Sequence, residues 1–289
     1  MLLYKSDNEA VLVDGASAFL IDMPWDLLIN RKGLYGYLHQ PALRTVPVEH
    51  ENLISAFAKR AAPPIGLQEV WAAGVTYKRS RDARMDESQA GGGADFYQKV
   101  YNAARPELFF KAQPYRVSGH GEDIQIRYDS DWNVPEPELT LFISSWGTIE
   151  GYTVGNDVSS RSIEGENPLY LPQAKSYEKS AALGPCLFVP DGRLPMETTI
   201  SLEIKREGDV LFKDSITLAS MKRTLEELVS WLYRGCRFPH GCFLMTGTGI
   251  VPPDVFTLAA NDIVSIHITG IGVLVNQVSV LKEGEMLHR

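Results

Sequence analysis

Pro135-Glu136-Pro137-Glu138-Leu139-Thr140-Leu141 sets two carboxylates at the mouth of a strand that is otherwise apolar. Side chains alternate along an extended chain with period two, so Glu136 and Glu138 lie on one side of it. Two like charges where a strand runs into a core repel each other and are costly to desolvate. A bound Mg2+, Mn2+ or Ca2+ removes that cost, because hard cations take carboxylate oxygens. A solvated strand end is the other reading that the spacing allows.

One strand further on stands Gly155-Asn156-Asp157-Val158-Ser159-Ser160-Arg161, after the apolar run Gly151 to Val154. Asp157 reads either as a turn residue or as a third carboxylate, completing a site that leaves positions open for water or substrate. Tyr170-Leu171-Pro172-Gln173-Ala174-Lys175-Ser176-Tyr177 places Lys175 in a weakly charged loop. It is a surface lysine or, near a metal and partly desolvated, an amine whose neutral form is favoured and which can act as a base. Leu244-Met245-Thr246-Gly247-Thr248-Gly249 offers backbone donors and hydroxyls to an anion. It lacks the lysine of a nucleotide-binding P-loop. Cys236, His240 and Cys242 read as structural, since zinc sites need four ligands and no second cluster follows. His120, in Gly119-His120-Gly121-Glu122, reads as filler or as the one histidine in a loop setting able to face a site.

Around these motifs the chain is β-rich. Short apolar runs from Leu108–Lys111 to Val273–Leu281, parted by Gly, Pro and Asp turns, predict a roll, barrel or sandwich. Among them are Leu139–Ile143, Thr148–Val154 and Cys186–Val189, and one amphipathic helix, Thr224–Tyr233, breaks the series. Residues 1–63 read as a small leading unit with strands at Ala10–Val13 and Ala18–Ile21 and helices at Asp26–Asn30 and Glu49–Arg60, closed by Pro63-Pro64. Residues 64–289 form the second unit. Within it 77–104 is polar and helix-compatible but interrupted by Gly91-Gly92-Gly93, which predicts either a mobile lid or an exposed helical hairpin.

The 289 residues are 44% hydrophobic, enough for a full core. Acidic groups outnumber basic ones, 36 to 28, for a formal charge of −8, which speaks against nucleic acid as the partner. No apolar stretch approaches the ~20 residues that span a bilayer. Three cysteines in a chain this long argue for a reducing cytoplasm and against a disulfide framework.

Taken in order and spacing, Glu136-x-Glu138, Asn156-Asp157-Val158-Ser159-x-Arg161, Lys175 and Thr246-Gly247-Thr248 resemble the fumarylacetoacetate hydrolase superfamily from about residue 69 onward. The resemblance implies an α+β, β-rich fold, a mixed β-roll catalytic domain behind a small N-terminal α/β domain. It also implies a divalent ion, usually Mg2+, with Mn2+ or Ca2+ suited to the same oxygens. Position by position, Glu136, Glu138 and Asp157 match its metal ligands, Lys175 its active-site lysine and Thr248 its substrate-contacting threonine. Arg105-Pro106-Glu107-Leu108-Phe109-Phe110-Lys111-Ala112, Gly119-His120-Gly121-Glu122 and Glu166-Asn167-Pro168-Leu169-Tyr170-Leu171-Pro172-Gln173 are similar to the superfamily's dehydratases of 2-keto-3-deoxy sugar acids.

One departure sharpens this. Where hydrolases and decarboxylases of the superfamily carry a His and a Glu after the tyrosine matching Tyr77, this chain has Ser80 and Ala83. The expectation is therefore dehydration of a 2-keto acid. Lys175 is the base and Glu107 the proton donor to the leaving hydroxyl. Thr248 and the Gly247 backbone hold the carboxylate, while Arg81 and Arg84 meet the substrate from the 77–104 segment. A hydrolase, decarboxylase or isomerase on the same scaffold, or a non-catalytic sugar-acid-binding protein, are the alternatives. The resemblance further implies a homodimer or homotetramer, and neither nucleic acid nor membrane as partner.

Overall fold

Pro137–Ile143 is buried at every residue. Its odd positions Leu139, Leu141 and Ile143 join one hydrophobic core, while Phe142 joins another on the opposite face. A strand covered on both faces has no solvated side, which is why its sequence is nearly continuously apolar instead of alternating. The even-numbered side is the one that carries Glu138.

The protein is described by a computed structural model covering residues 1–6, 9–47, 61–87 and 94–282. The expected helix at Glu49–Arg60 and the triplet Gly91-Gly92-Gly93 lie outside the described residues. The chain opens with β1 (Leu2–Lys5), β2 (Ala10–Asp14) and β3 (Ser17–Ile21), then α1 (Trp25–Ile29), α2 (Leu34–Leu38) and β4 (Val46–Pro47). Next come β5 (Glu69–Gly74), α3 (Lys78–Glu87), α4 (Ala94–Asn102), β6 (Glu107–Ala112), β7 (Val117–Ser118), β8 (Asp123–Arg127) and β9 (Asn133–Val134). β10 (Pro137–Ile143), β11 (Ile149–Asp157) and β12 (Ser159–Ser160) precede α5 (Arg161–Glu166) and α6 (Leu171–Lys175). The rest is β13 (Ala181–Phe188), β14 (Thr199–Arg206), β15 (Asp209–Thr217), α7 (Leu225–Leu232), β16 (Cys242–Met245), β17 (Ile263–Ile268) and β18 (Gly272–Leu281).

Among the described residues the strands form one large mixed sheet, ordered β4-β3-β2-β1-β13-β11-β10-β16-β5-β6, with β7 also paired to β13. A second sheet, β15-β14-β17-β18-β8, packs on one face of it. Ile200, Leu202, Ile204, Val264 and Ile266 of the second sheet share a core with Leu139, Leu141 and Val154 of the first. The other face of the large sheet is covered by α1 and α2, whose Leu28, Ile29, Leu34 and Leu38 are fully buried with Phe142, Phe243 and Leu183. This is the expected sheet-rich α+β architecture. No helix of the described residues is long and apolar enough to cross a membrane.

β1 pairs with β13, Leu2 opposite Phe188 and Leu3 opposite Leu187, so the proposed units 1–63 and 64–289 share one sheet. Three strands outrun their apolar cores. β10 starts at Pro137, β11 continues to Asp157, and β13 begins at Ala181 instead of Cys186. Neighbours on both sides carry polar residues into the ladder, and Asp157 pairs with Ala181. Asp157 is thus the last residue of a strand, not a turn residue beyond one. The helix expected at Thr224–Tyr233 is α7 with its caps. Thr224 accepts from the Glu227 amide at 3.2 Å, a side chain satisfying a backbone donor that the first turn leaves free.

Candidate active site

β10 and β11 are antiparallel neighbours with Pro137 opposite Asn156. That register sets Glu136 and Glu138, which flank Pro137, beside Asp157, which follows Asn156. The Asp157 amide donates to the Glu136 carbonyl at 3.0 Å, tying the end of β11 to the residue before β10. One carboxylate oxygen from each of Glu136, Glu138 and Asp157 lies within 4.8 Å of the others, and all three residues are buried. The strand period that predicted a shared side for the two glutamates is what aims them at one point.

Lys175 ends the short helix α6 and is 2% exposed, so it is neither a loop nor a surface residue. Its Nζ donates to Glu136 Oε2 at 2.8 Å, Asp157 Oδ2 at 3.0 Å and Ser159 Oγ at 2.6 Å. Two further cations close the outer side of the cluster. The Arg161 guanidinium lies 3.0 Å from Glu136 Oε1. Lys111, fully buried on β6, lies 2.5 Å from Asp157 Oδ1 and donates to the carbonyls of Val158 at 3.0 Å and Lys175 at 2.5 Å. Burial lowers the pKa of Lys111, against the pull of Asp157.

Glu138 is served differently. Among the described residues its hydrogen-bond partner is the Gly247 amide, at 2.5 Å from Oε2, and it makes no salt bridge, though the Lys175 charge still acts on it. Burial first, then the charges of Asp157 and Glu136, push its carboxyl well above the ordinary carboxylate range. A buried carboxylate without a salt bridge, joined at one point by two more, is a donor set suited to a hard divalent ion. The residues present fit such an ion.

Gly247 must be glycine. Its φ is 94°, and a Cβ there would fall 2.0 Å from Thr76 Oγ1 and 2.9 Å from the Ala73 carbonyl. Thr248 follows it into the cleft, its hydroxyl donating to the Ile250 carbonyl at 3.1 Å. Glu107, at the start of β6, reaches across Gly74 into the same cleft. The structure therefore brings Glu107, Gly247, Thr248 and Lys175 together with the three carboxylates.

It does not bring Arg81, whose guanidinium pairs with Asp82 and lies over the Tyr101 ring. Arg84 sits on α3, and its side chain lies outside the described residues. His120 accepts from the Val275 amide at 3.2 Å, away from the cleft. Cys242 is buried in β16, and Cys236 is exposed. Ser80 lines the cleft with its hydroxyl donated to the Tyr77 carbonyl at 2.9 Å.

Sequence reasoning missed Lys111, Ser159 and Arg161 as partners of the carboxylates, and Glu164 as a wall of the cleft. A signal existed for Lys111, a lysine within the apolar run Leu108-Phe109-Phe110. A charge that runs into a core has to meet its opposite there.

Residues 70–279 match the model of the fumarylacetoacetate (FAA) hydrolase C-terminal family. A probable 2-keto-3-deoxyxylonate dehydratase of Haloferax volcanii is 49% identical over 226 residues, 78% of this chain and 77% of that protein. The 2-dehydro-3-deoxy-D-arabinonate dehydratase of Saccharolobus solfataricus is 43% identical over 240 residues, 81% of this chain and 80% of that one. Among solved structures, a 2-keto-3-deoxy-D-arabinonate dehydratase complexed with magnesium and 2,5-dioxopentanoate is 35% identical, with a TM-score of 0.85 over 98% of this chain and 100% of its own.

Proposed function

The chain belongs to the fumarylacetoacetate hydrolase family, and from that premise we propose that it is a metal-dependent hydro-lyase converting 2-keto-3-deoxy-D-arabinonate to 2,5-dioxopentanoate. Its similarity to dehydratases of the arabinonate and xylonate acids supports one substrate, not two. D-arabinonate and D-xylonate differ at carbons two and three, and both stereocentres vanish in the 2-keto-3-deoxy acid.

The observation that carries this reading is Lys175. A lysine held within 3.0 Å of two carboxylates of a buried three-carboxylate cluster sets an amine beside the seat of a chelated keto acid. Glu136, Glu138 and Asp157 would hold Mg2+, as the similar dehydratase holds magnesium with its product. Mn2+ or Ca2+ suits the same oxygens. Such a cation draws electron density from a 2-keto acid's oxygens and so acidifies carbon three.

Lys175 takes the proton from carbon three, and Ser159 orients the amine. Glu107 delivers a proton to the hydroxyl leaving carbon four. Thr248 turns its hydroxyl from Ile250 toward the substrate's carboxylate, beside the Gly247 amide. Arg84 meets the substrate's hydroxyls from α3. Arg81, the other arginine expected to meet the substrate, is paired with Asp82. Hydrolysis by a histidine–glutamate pair has no support, because Ser80 stands at the histidine position and its hydroxyl is engaged by Tyr77. We place the protein in the cytoplasm as a homodimer or homotetramer, readings that rest on its three free cysteines and on the family likeness.

The test is product analysis. Protein and Mg2+ given 2-keto-3-deoxy-D-arabinonate should yield 2,5-dioxopentanoate. Cleavage of an acylpyruvate with no action on the sugar acid would replace this reading with a hydrolase.

A further inference from the structure

Lys175 and Glu107 do not complete the atom balance of the proposed reaction. Loss of water across carbons three and four of the substrate, whose chain ends CO–CH2–CHOH–CH2OH, gives CO–CH=CH–CH2OH. That enone is an isomer of 2,5-dioxopentanoate but not yet the aldehyde. To become CO–CH2–CH2–CHO, carbon five must surrender one C–H and its O–H proton, while carbons three and four each take one proton. No outside oxidant is needed, since carbon five is oxidised as carbons three and four are reduced. What is needed is a second base, at the end of the cleft away from the keto group.

Among the described residues the ionisable side chains lining the cleft are the three carboxylates of the cluster, Lys175, Glu107 and Glu164. Glu164 is the one left without a task. It is 3% exposed. It stands on α5, whose start is held by Ser160 accepting from the Ile163 amide. Arg161, one turn earlier on that helix, is fixed to Glu136 at 3.0 Å. Residues three apart share a helix face, so the face that Arg161 anchors to the cluster is the face that carries Glu164. Leu171 lines the cleft with it.

We infer that Glu164 is the base at carbon five, making the enzyme an isomerase as well as a dehydratase in each turnover. This rests on the proposed function. After water leaves, Glu164 takes one hydrogen from carbon five as a proton. The C–H electron pair forms the C4=C5 bond, and the C3=C4 pair closes an enolate with the keto group. Lys175, still carrying the proton it took, returns it to carbon three. The C5 enol then gives the aldehyde as Glu164 passes its proton to carbon four and the enol O–H proton goes to Glu107, replacing the one it gave to the leaving hydroxyl.

The test uses the enone itself, 5-hydroxy-2-oxopent-3-enoate, with Mg2+ and the full-length protein, followed by the loss of its ultraviolet absorbance and by NMR of the aldehyde. Wild type should convert it faster than buffer does. E164Q should be slower than wild type by about 10²- to 10⁴-fold and, given the sugar acid, should release the enone. E164D, which keeps a carboxylate, should recover part of the rate.

An E164Q that makes aldehyde at the wild-type rate overturns the inference. So does a wild type that leaves the enone to its spontaneous rate, an outcome that holds even if E164Q fails to fold. A wild type that converts the enone but ignores 2-keto-3-deoxy-D-arabinonate would instead defeat the proposed function and leave the isomerase step standing.

Discussion

Lys111 donates to the backbone carbonyl of Lys175 at 2.5 Å, so one fully buried lysine sets the position of another. The same Nζ lies 2.5 Å from Asp157 Oδ1 and donates to the Val158 carbonyl at 3.0 Å. Two donors of the ammonium are thus spent on backbone carbonyls of the segment that carries the site, and its charge sits beside Asp157. Lys111 therefore acts as a brace between β6, the end of β11 and α6. Asp157 keeps Lys175 at 3.0 Å, so removing Lys111 takes away only part of its compensation and should cost about 3 kcal/mol, the low end for a broken buried pair. K111M should lose roughly that much stability in urea unfolding of the metal-free protein. A loss below about 1 kcal/mol would show that the pair is not holding the cluster.

Gly74 and Glu107 give a quieter perturbation. A Cβ on Gly74 would meet Glu107 Oε2 at 2.1 Å. The obstructing atom is the tip of a flexible side chain, so the fold can yield by moving the carboxylate. G74A should keep its unfolding midpoint, yet turn over about 10²-fold more slowly, since a misplacement of about 1 Å is enough for such a loss. Wild-type turnover by G74A would mean that the position of Glu107 is immaterial.

Lys175→Ala separates chemistry from binding. Turnover should fall by about 10²- to 10⁴-fold, and deuterium exchange at carbon three should fall with it, while calorimetry still records Mg2+ binding. Exchange at the wild-type rate in K175A would exclude Lys175 as the base.

Much of this site is legible in residue order because it sits on strands. Period two is short and strict, so Glu136 and Glu138 declare a shared side from their spacing alone. Asp157 is harder, since the strand holding it runs three residues past its last apolar residue, Val154, carried by pairing to β13. Arg161 and Glu164 lie on a helix of six residues, too short to show a period. β1 is invisible for another reason. Four residues carry little pattern, and the partner that completes them, β13, lies about 180 positions away. Lys111 hides inside an apolar run where only three-dimensional pairing explains it.

The cysteines report on the cores. Burial pushes the Cys186 thiol up to about 12 and raises that of Cys242 as well, while Cys236 is exposed. The thiolate is the reactive form, so at pH 8 a disulfide reagent should titrate one thiol in the folded protein and three after denaturation. Three fast thiols in the native state would contradict the burial of β13 and β16.

Metal removal should show in stability as well as rate. An ion bound to the folded state alone stabilises it by about 2.7 kcal/mol at a hundredfold excess over its dissociation constant. Chelator-treated protein should therefore melt lower and recover on Mg2+ addition, and E138Q should show little of that recovery. Equal recovery in E138Q would remove Glu138 from the ligand set.

The most direct measurement is a Mg2+ titration of chelator-stripped protein with 2-keto-3-deoxy-D-arabinonate, reading 2,5-dioxopentanoate. The proposed chemistry predicts no product without a divalent ion, saturable recovery with Mg2+, and neither in E138Q nor in K175A. Product formed at full rate in the stripped protein, or by E138Q, would contradict a cation held by Glu136, Glu138 and Asp157 as the centre of the reaction.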